Sequence, residues 1–510
     1  MKMQPKTTWI QHIDTLIAAL LGGFLVQFYM HHGGIGVSPD AIHYYSSADA
    51  LIKGRGYYQF DDQPLIMFPF GYPSFLALCQ LCIGKQLLVY MPIVNGALFA
   101  VLIFLSGYIL SLSATSKWLK WIVLAMIVAS PTLHEIYFMM WSESLFAIEV
   151  LLFVLLAKQY FNKSNWSALL SFAIITAIAF ETRFAGVSLV ATGGILILLS
   201  QDLDWPTKIK HAFIFGILSC SLVVVNLIRN FTLTQTLTGI RQKGVVGLFD
   251  NIAHYGDVVV VWLPFSRQLE GYGLAVGGLF LLSIFGIFVY RIFKKIEHNS
   301  FEKIAATFTL MYSVFMLITA TISRYETINS RLLSPFFIPC LFTVSFYAAI
   351  LLGVIKQVRV YQAVKFMIVS FALVILVQFV QKDKSVYDEV SPGGIGGYTE
   401  DDWKESELIH FLQQNPQYFT SSFPVYSNAS HAIYLYTKRP VTIVPERTHE
   451  RKVAEMMQQP AFLLFWFTTE DNKDVLNFKE ATSNRNVKLI GKYKDGAIYY
   501  CTFANSRSPH

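Results

Sequence analysis

Apolar runs of about 15–22 residues recur from end to end of the first 381 residues, and a run of that length crosses a bilayer as a helix. They lie near 15–30, 87–112, 119–133, 144–160, 167–181, 185–200, 211–228, 272–290, 304–322, 333–353 and 364–381. Backbone polar groups must be satisfied within such a segment, so the runs predict helices. Composition enters where it is uneven. The chain is 54% hydrophobic and 14% charged, whereas residues 382–510 carry 15 Lys/Arg and 16 Asp/Glu, the density of a soluble domain. The sequence therefore predicts a polytopic α-helical membrane protein. About eleven transmembrane helices over 1–381 precede a small α/β domain over 382–510.

Basic residues orient the bundle. With Lys2 and Lys6 in the cytoplasm, the inner connections carry Lys117 and Lys120, Lys158 and Lys163, Lys208 and Lys210, Arg291, Lys294, Lys295 and Lys303, and Lys356, Arg359 and Lys365. The outer face then receives 31–86, 229–271 and the C-terminal domain. The net charge of +7 belongs to these topogenic loops, so no nucleic-acid partner is expected. The first run lacks a small-x-small cleavage site and reads as an uncleaved anchor. No inner loop is long enough for a nucleotide site, so chemistry is expected on the extracytoplasmic face, with membrane lipids as neighbours. A bacterial inner membrane suits that arrangement.

Ser38-Pro39-Asp40 is a helix start: a capping hydroxyl, a proline in the first turn and an acid near the N-terminus. Ile42, Tyr45, Ala48 and Leu51 continue it as an amphipathic helix on the membrane surface, ending at Gly54-Arg55-Gly56. In the tail, 424–427, 441–444, 462–467, 487–490 and 497–503 read as strands. Residues 400–414, 448–458 and 471–482 read as helices, and the Gly-rich 391–398 as a flexible linker. Cys79-x-x-Cys82 lies inside an apolar run and reads as packing.

Ionisable groups at the outer ends of spans are the candidates for chemistry. Asp40 is flanked by His43, Tyr44, Asp49, Arg55 and Tyr57. Glu143 opens the run at 144. Arg183 occupies a short outer turn beside Glu181, with which it could pair. Arg324 and Arg331 lie between two later spans, in Ser323-Arg324-Tyr325-Glu326 and Ser330-Arg331. Arginine's fork suits phosphate oxygens. The outer-face histidines His31, His32, His43, His134 and His254 show no diagnostic ligand spacing. No metal ligand is assigned, and a divalent metal stays open as a cofactor.

Ser38-Pro39-Asp40-Ala41-Ile42-His43-Tyr44-Tyr45, Gly54-Arg55-Gly56-Tyr57 and Phe68-Pro69-Phe70-Gly71-Tyr72-Pro73 together resemble the GT-C glycosyltransferases, in their protein O-mannosyltransferase and aminoarabinose-transferase branch. Trp141-Ser142-Glu143, Glu181-Thr182-Arg183 and Ser330-Arg331-Leu332-Leu333-Ser334-Pro335 fall where that family has a second acid, an arginine and an Arg-x-x-x-Pro. The chain departs from the family at Ala41 and at Ile66-Met67-Phe68. The resemblance implies inverting transfer of a sugar from a polyprenyl-phosphate donor to a glycan, lipid or protein acceptor. Asp40 would be the general base, with Glu143 positioning the acceptor or tuning Asp40. His43, Tyr44, Arg55, Tyr72, Arg183, Arg324 and Arg331 would bind substrate. The competing class is a lipid or glycan transporter, but 1–381 show no internal repeat and no matched pair of broken helices at mid-membrane depth.

Overall fold

The computed structural model describes residues 12–504 apart from 85, 114–115, 240, 295–299, 325 and 471. Lys2, Lys6, Lys295, Tyr325 and the start of the expected helix 471–482 lie outside the described residues. In chain order the helices of the apolar region are α1 Ile13–Tyr29, α2 Pro39–Ile52, α3 Gly71–Ile83, α4 Leu87–Leu112, α5 Lys117–Val128, α6 Pro131–Phe138, α7 Glu143–Lys163, α8 Trp166–Thr182, α9 Val187–Leu198, α10 Trp205–Thr234, α11 Leu248–Val261, α12 Ser266–Leu269, α13 Gly273–Phe293, α14 Phe301–Ile322, α15 Ser330–Val354 and α16 Val358–Gly393.

Every apolar run is helical. Among the described residues, α4, α7, α10, α13, α14, α15 and α16 are long and apolar enough to cross a membrane. The run at 119–133 is not one straight helix: α5 and α6 meet at 45°. Pro131 cannot donate a backbone hydrogen bond, and the Ser130 hydroxyl caps the new start by accepting from Leu133 N. The runs at 15–30, 167–181 and 185–200 are shorter apolar helices. Full spanning length is thus reached by seven helices, or eight if the bent pair is one span, against about eleven expected. The chain is an integral membrane protein.

Two compact units divide the chain: Met1–His31 with Ile66–Ser391, and His32–Leu65 with Pro392–His510. In the first, α1 lies along α4, α8 along α7 and α10, and α14 against α15, α9 and α7. His134 ties α6 to α16, with Nδ1 2.9 Å from Asp383 and Nε2 2.8 Å from Val128 O. α16 runs unbroken past 381, where charge density had put the domain boundary.

The second unit holds a five-stranded sheet, in the order β2-β1-β3-β5-β4. β1 Val425–Ser427 pairs in parallel with β2 Thr442–Ile443 and β3 Ala461–Phe467. β4 Arg485–Tyr493 and β5 Gly496–Phe503 form a hairpin whose second strand runs antiparallel to β3. Val444, Met456, Phe462, Leu464 and Cys501 form its core. Helices α17 Asp401–Lys404, α18 Glu407–Gln414, α19 Ser430–Thr437, α20 Glu450–Met457 and α21 Phe478–Ala481 complete it. The expected helix 400–414 is therefore two helices, and α19 was not anticipated.

Helix α2 belongs to this unit, although some 370 residues separate it from the sheet. The Gly-rich stretch is not a loose linker. Tyr398 N donates to Val37 O (2.8 Å) and the Thr399 hydroxyl to Ile35 O (2.7 Å). Gly397 has φ +97°, and a Cβ there would lie 2.4 Å from Val37 O, so only glycine fits this backbone approach.

Candidate active site

Residues 130–144 place the first charged group. Ser130-Pro131 starts α6, and the chain then turns through Met139–Ser142 into α7. The Asn95 amide fixes that turn by donating to Tyr137 O (2.8 Å) and Met139 O (3.0 Å). Tyr137 OH in turn donates to Ser144 O (2.8 Å). Glu143 is the first residue of α7 and is 0% exposed.

Two arginines converge on it from distant sequence. Arg183, just past α8, places Nη1 2.6 Å from Glu143 Oε2 and donates to the Ser142 hydroxyl (2.8 Å). Arg331, in the first turn of α15, donates through Nε to Glu143 Oε1 (2.6 Å). Its guanidinium lies 4.0 Å from the Trp141 ring centre, and Glu326 approaches it at 3.6 Å. A carboxylate buried among apolar helices is tolerable only when paired, and here it is paired twice. The inner trio carries two positive charges to one negative.

Arg183 does not pair with Glu181. Glu181 Oε1 accepts from Phe70 N (2.8 Å) and the Asn226 amide (2.9 Å). Its Oε2 is buried without a hydrogen-bond partner. Glu181 thus holds the return segment 66–73 against α8. Gly71 packs so closely there that a Cβ would lie 2.7 Å from Glu181 O. Tyr72, next along, is fully buried and stacks on Phe75. Thr182 donates to Glu149 on α7 (2.8 Å). Arg324 is held elsewhere in this unit: its backbone N donates to Gln242 O (2.8 Å) and Nη1 to Gln242 Oε1 (3.1 Å).

In the second unit, Ser38 caps α2 by accepting from Ala41 N, and Asp40 lies in the first turn. His43, one turn on, brings Nε2 within 3.4 Å of His431 Nε2 on α19. Phe60 packs on both rings, and Tyr398 stacks on His431. Burial pushes both imidazoles below their ordinary value of 6.5, for His43 against the pull of Asp40 and Asp61. Tyr44 is buried. Lys438 lies 4.4 Å from the Tyr45 ring centre and 5.6 Å from that of Tyr434, and burial pushes its ammonium down to about 8. Arg55 is in an exposed ion pair with Asp62 (2.8 Å).

The structure thus gathers Glu143, Arg183 and Arg331 into one cluster and sets Asp40 beside His43. Tyr72 and Arg324 have other partners than that trio. His431, Lys438, Asn95 and Trp141 were not singled out from sequence. His431 and Lys438 sit on the unanticipated helix α19 and at its C-terminal end. Trp141 was quoted only as part of a motif. Among the described residues no three His, Cys, Asp or Glu side chains group as metal ligands would.

No protein-family model matches the chain, and no curated protein matches its sequence. Solved structures do match in fold. ArnT from Cupriavidus metallidurans in the apo state superposes with TM-score 0.54 over 97% of this chain and 98% of its own, at 10% identity. The same protein bound to undecaprenyl phosphate gives 0.52 over 95% and 97%, at 9% identity. The archaeal oligosaccharyltransferase AglB from Archaeoglobus fulgidus, in complex with an inhibitory peptide and a dolichol-phosphate, gives 0.50 over 90% and 70%, at 9% identity. The chain has the GT-C fold.

Proposed function

We propose that this chain is a membrane glycosyltransferase that moves a sugar from a polyprenyl-phosphate donor to an acceptor hydroxyl, with inversion, on the extracytoplasmic face of a bacterial inner membrane. One observation carries the reading. Inside a GT-C bundle, Arg183 and Arg331 meet on the single buried carboxylate of Glu143. Such a cluster of two guanidiniums on one carboxylate carries a net positive charge, which suits a phosphate. The undecaprenyl phosphate and dolichol-phosphate of the similar structures support the same ligand class.

In this mechanism the acceptor oxygen attacks the anomeric carbon as the bond from that carbon to the phosphate oxygen breaks. Asp40 takes the acceptor proton as general base. The departing lipid phosphate keeps the bonding electrons, and Arg183 and Arg331 stabilise the charge that grows on it. Glu143 has both oxygens engaged by arginine, so its role is to hold the two guanidiniums rather than to position the acceptor. The acceptor hydroxyl belongs to a glycan, a lipid or a protein.

Purified protein offered radiolabelled polyprenyl-phosphate sugars and a membrane extract of acceptors tests this. Release of free polyprenyl phosphate with label in a new product is expected. Label that crosses vesicles without bond cleavage would make the protein a transporter. Transfer from nucleotide sugars alone would also refute the reading.

A further inference from the structure

α14 carries Arg324 two residues beyond its C-terminus, on the way to Arg331 and Glu143. Its N-terminus, 22 residues earlier, lies about 33 Å away along the helix. There the last turn of α13 meets the first turn of α14. Arg291 Nη2 donates to Glu302 Oε1 (2.7 Å) and to the Ser300 hydroxyl (3.4 Å). Ser300 is the N-cap residue of α14, but its hydroxyl is turned to Glu302, and the helix start has no side-chain cap.

The charges do not balance. Lys303 is 2% exposed and Arg291 4%, yet Lys303 Nζ and the Nε and Nη1 of Arg291 have no hydrogen-bond partner. Two buried cations lie at this corner, and Glu302 is paired with one of them, Arg291. Leaving a buried charge unpaired is costly, and among the described residues Lys303 has no anion beside it. Lys158 of α7, also positive, lies 5.8 Å from the Phe301 ring centre.

We propose that Arg291, Lys303 and the uncapped N-terminus of α14 form a second anion site, which takes the phosphate group of a membrane lipid. A guanidinium edge, an ammonium and free helix N–H groups are the donors that phosphate oxygens accept from. Tyr290 and Phe293, in the same last turn of α13, are 55% and 81% exposed and offer an apolar flank for acyl chains. This site does not depend on the transferase reading.

The test uses the full chain in phosphatidylcholine nanodiscs, read by thermal unfolding and by native mass spectrometry of retained lipid. Adding phosphatidylglycerol should raise the unfolding midpoint by several degrees, and the protein should retain phosphatidylglycerol at least tenfold over phosphatidylcholine. Lys303→Met removes an unpaired buried charge. It should leave the midpoint in phosphatidylcholine unchanged or higher while abolishing the phosphatidylglycerol shift. Lys303→Gln is the second variant should the first fail to fold. Inorganic phosphate at the same concentration should do nothing, and an equal shift from it would overturn the lipid as ligand. No shift in the wild type, or the same shift in the variants, would overturn the site.

Discussion

Replacing Glu143 with glutamine removes one negative charge and no volume. The carboxylate is fully buried and takes a 2.6 Å contact from each of two guanidiniums. Without it, Arg183 and Arg331 keep their charges side by side, with the half-exposed Glu326 3.6 Å from one of them. Removing one partner of a buried ion pair costs about 3–5 kcal/mol. The arginines would also separate, and a misplacement of about 1 Å can cost roughly 10²-fold in rate. Glu143→Gln should therefore lower stability against denaturant by about 3–5 kcal/mol and cut sugar transfer about 100-fold. Both are measured on protein reconstituted in nanodiscs. A carboxylate that merely touched the acceptor would show a raised KM at unchanged stability. If Glu143→Gln unfolds within about 1 kcal/mol of wild type and turns over within threefold, the holding role is wrong.

Arg331→Lys keeps a charge but loses the fork and the face laid on Trp141, so donor binding should weaken modestly. Arg331→Ala should weaken it at least tenfold, as titration with a labelled polyprenyl phosphate would show. The His43–His431 pair is neutral in the folded state with both values below 6.5. The unfolded chain therefore binds more protons, and stability should be constant above about pH 6.5 and fall as pH drops below it. Thermal midpoints at pH 7.5 and 5 should differ less in His431→Phe, and an unchanged pH dependence there would refute the pair's role. A reporter active only outside the cytoplasm, fused after His510, should be active. A silent one would invert the proposed topology.

That the apolar runs are helices was legible because an apolar run of bilayer length has few other folds, and the cap Ser38-Pro39-Asp40 because its chemistry is local. The strands of the tail were found to within a few residues for the same reason. The short helix α19 was not, since Ser430 to Leu435 are all buried and give no polar face to set a period. That α2 joins the C-terminal unit rests on contacts such as Val37 with Gly397, which no periodicity encodes. At the cluster, sequence marked Glu143, Arg183 and Arg331 singly, as ionisable groups at span ends. It could not say who pairs with whom. Glu181, two residues from Arg183, was the obvious local partner, but residues two apart on a helix end do not face each other. The pairing chosen spans 188 residues for Arg331 and Glu143.

In the proposed mechanism Asp40 is the base for sugar transfer from a lipid phosphate. Release of free polyprenyl phosphate from a synthetic polyprenyl-phosphate sugar, followed with wild type and with Asp40→Asn at saturating donor, tests it most directly. The wild type should release polyprenyl phosphate, and the variant should do so at a rate about 10²–10⁴-fold lower at unchanged donor affinity. Equal rates from the two proteins would contradict that role.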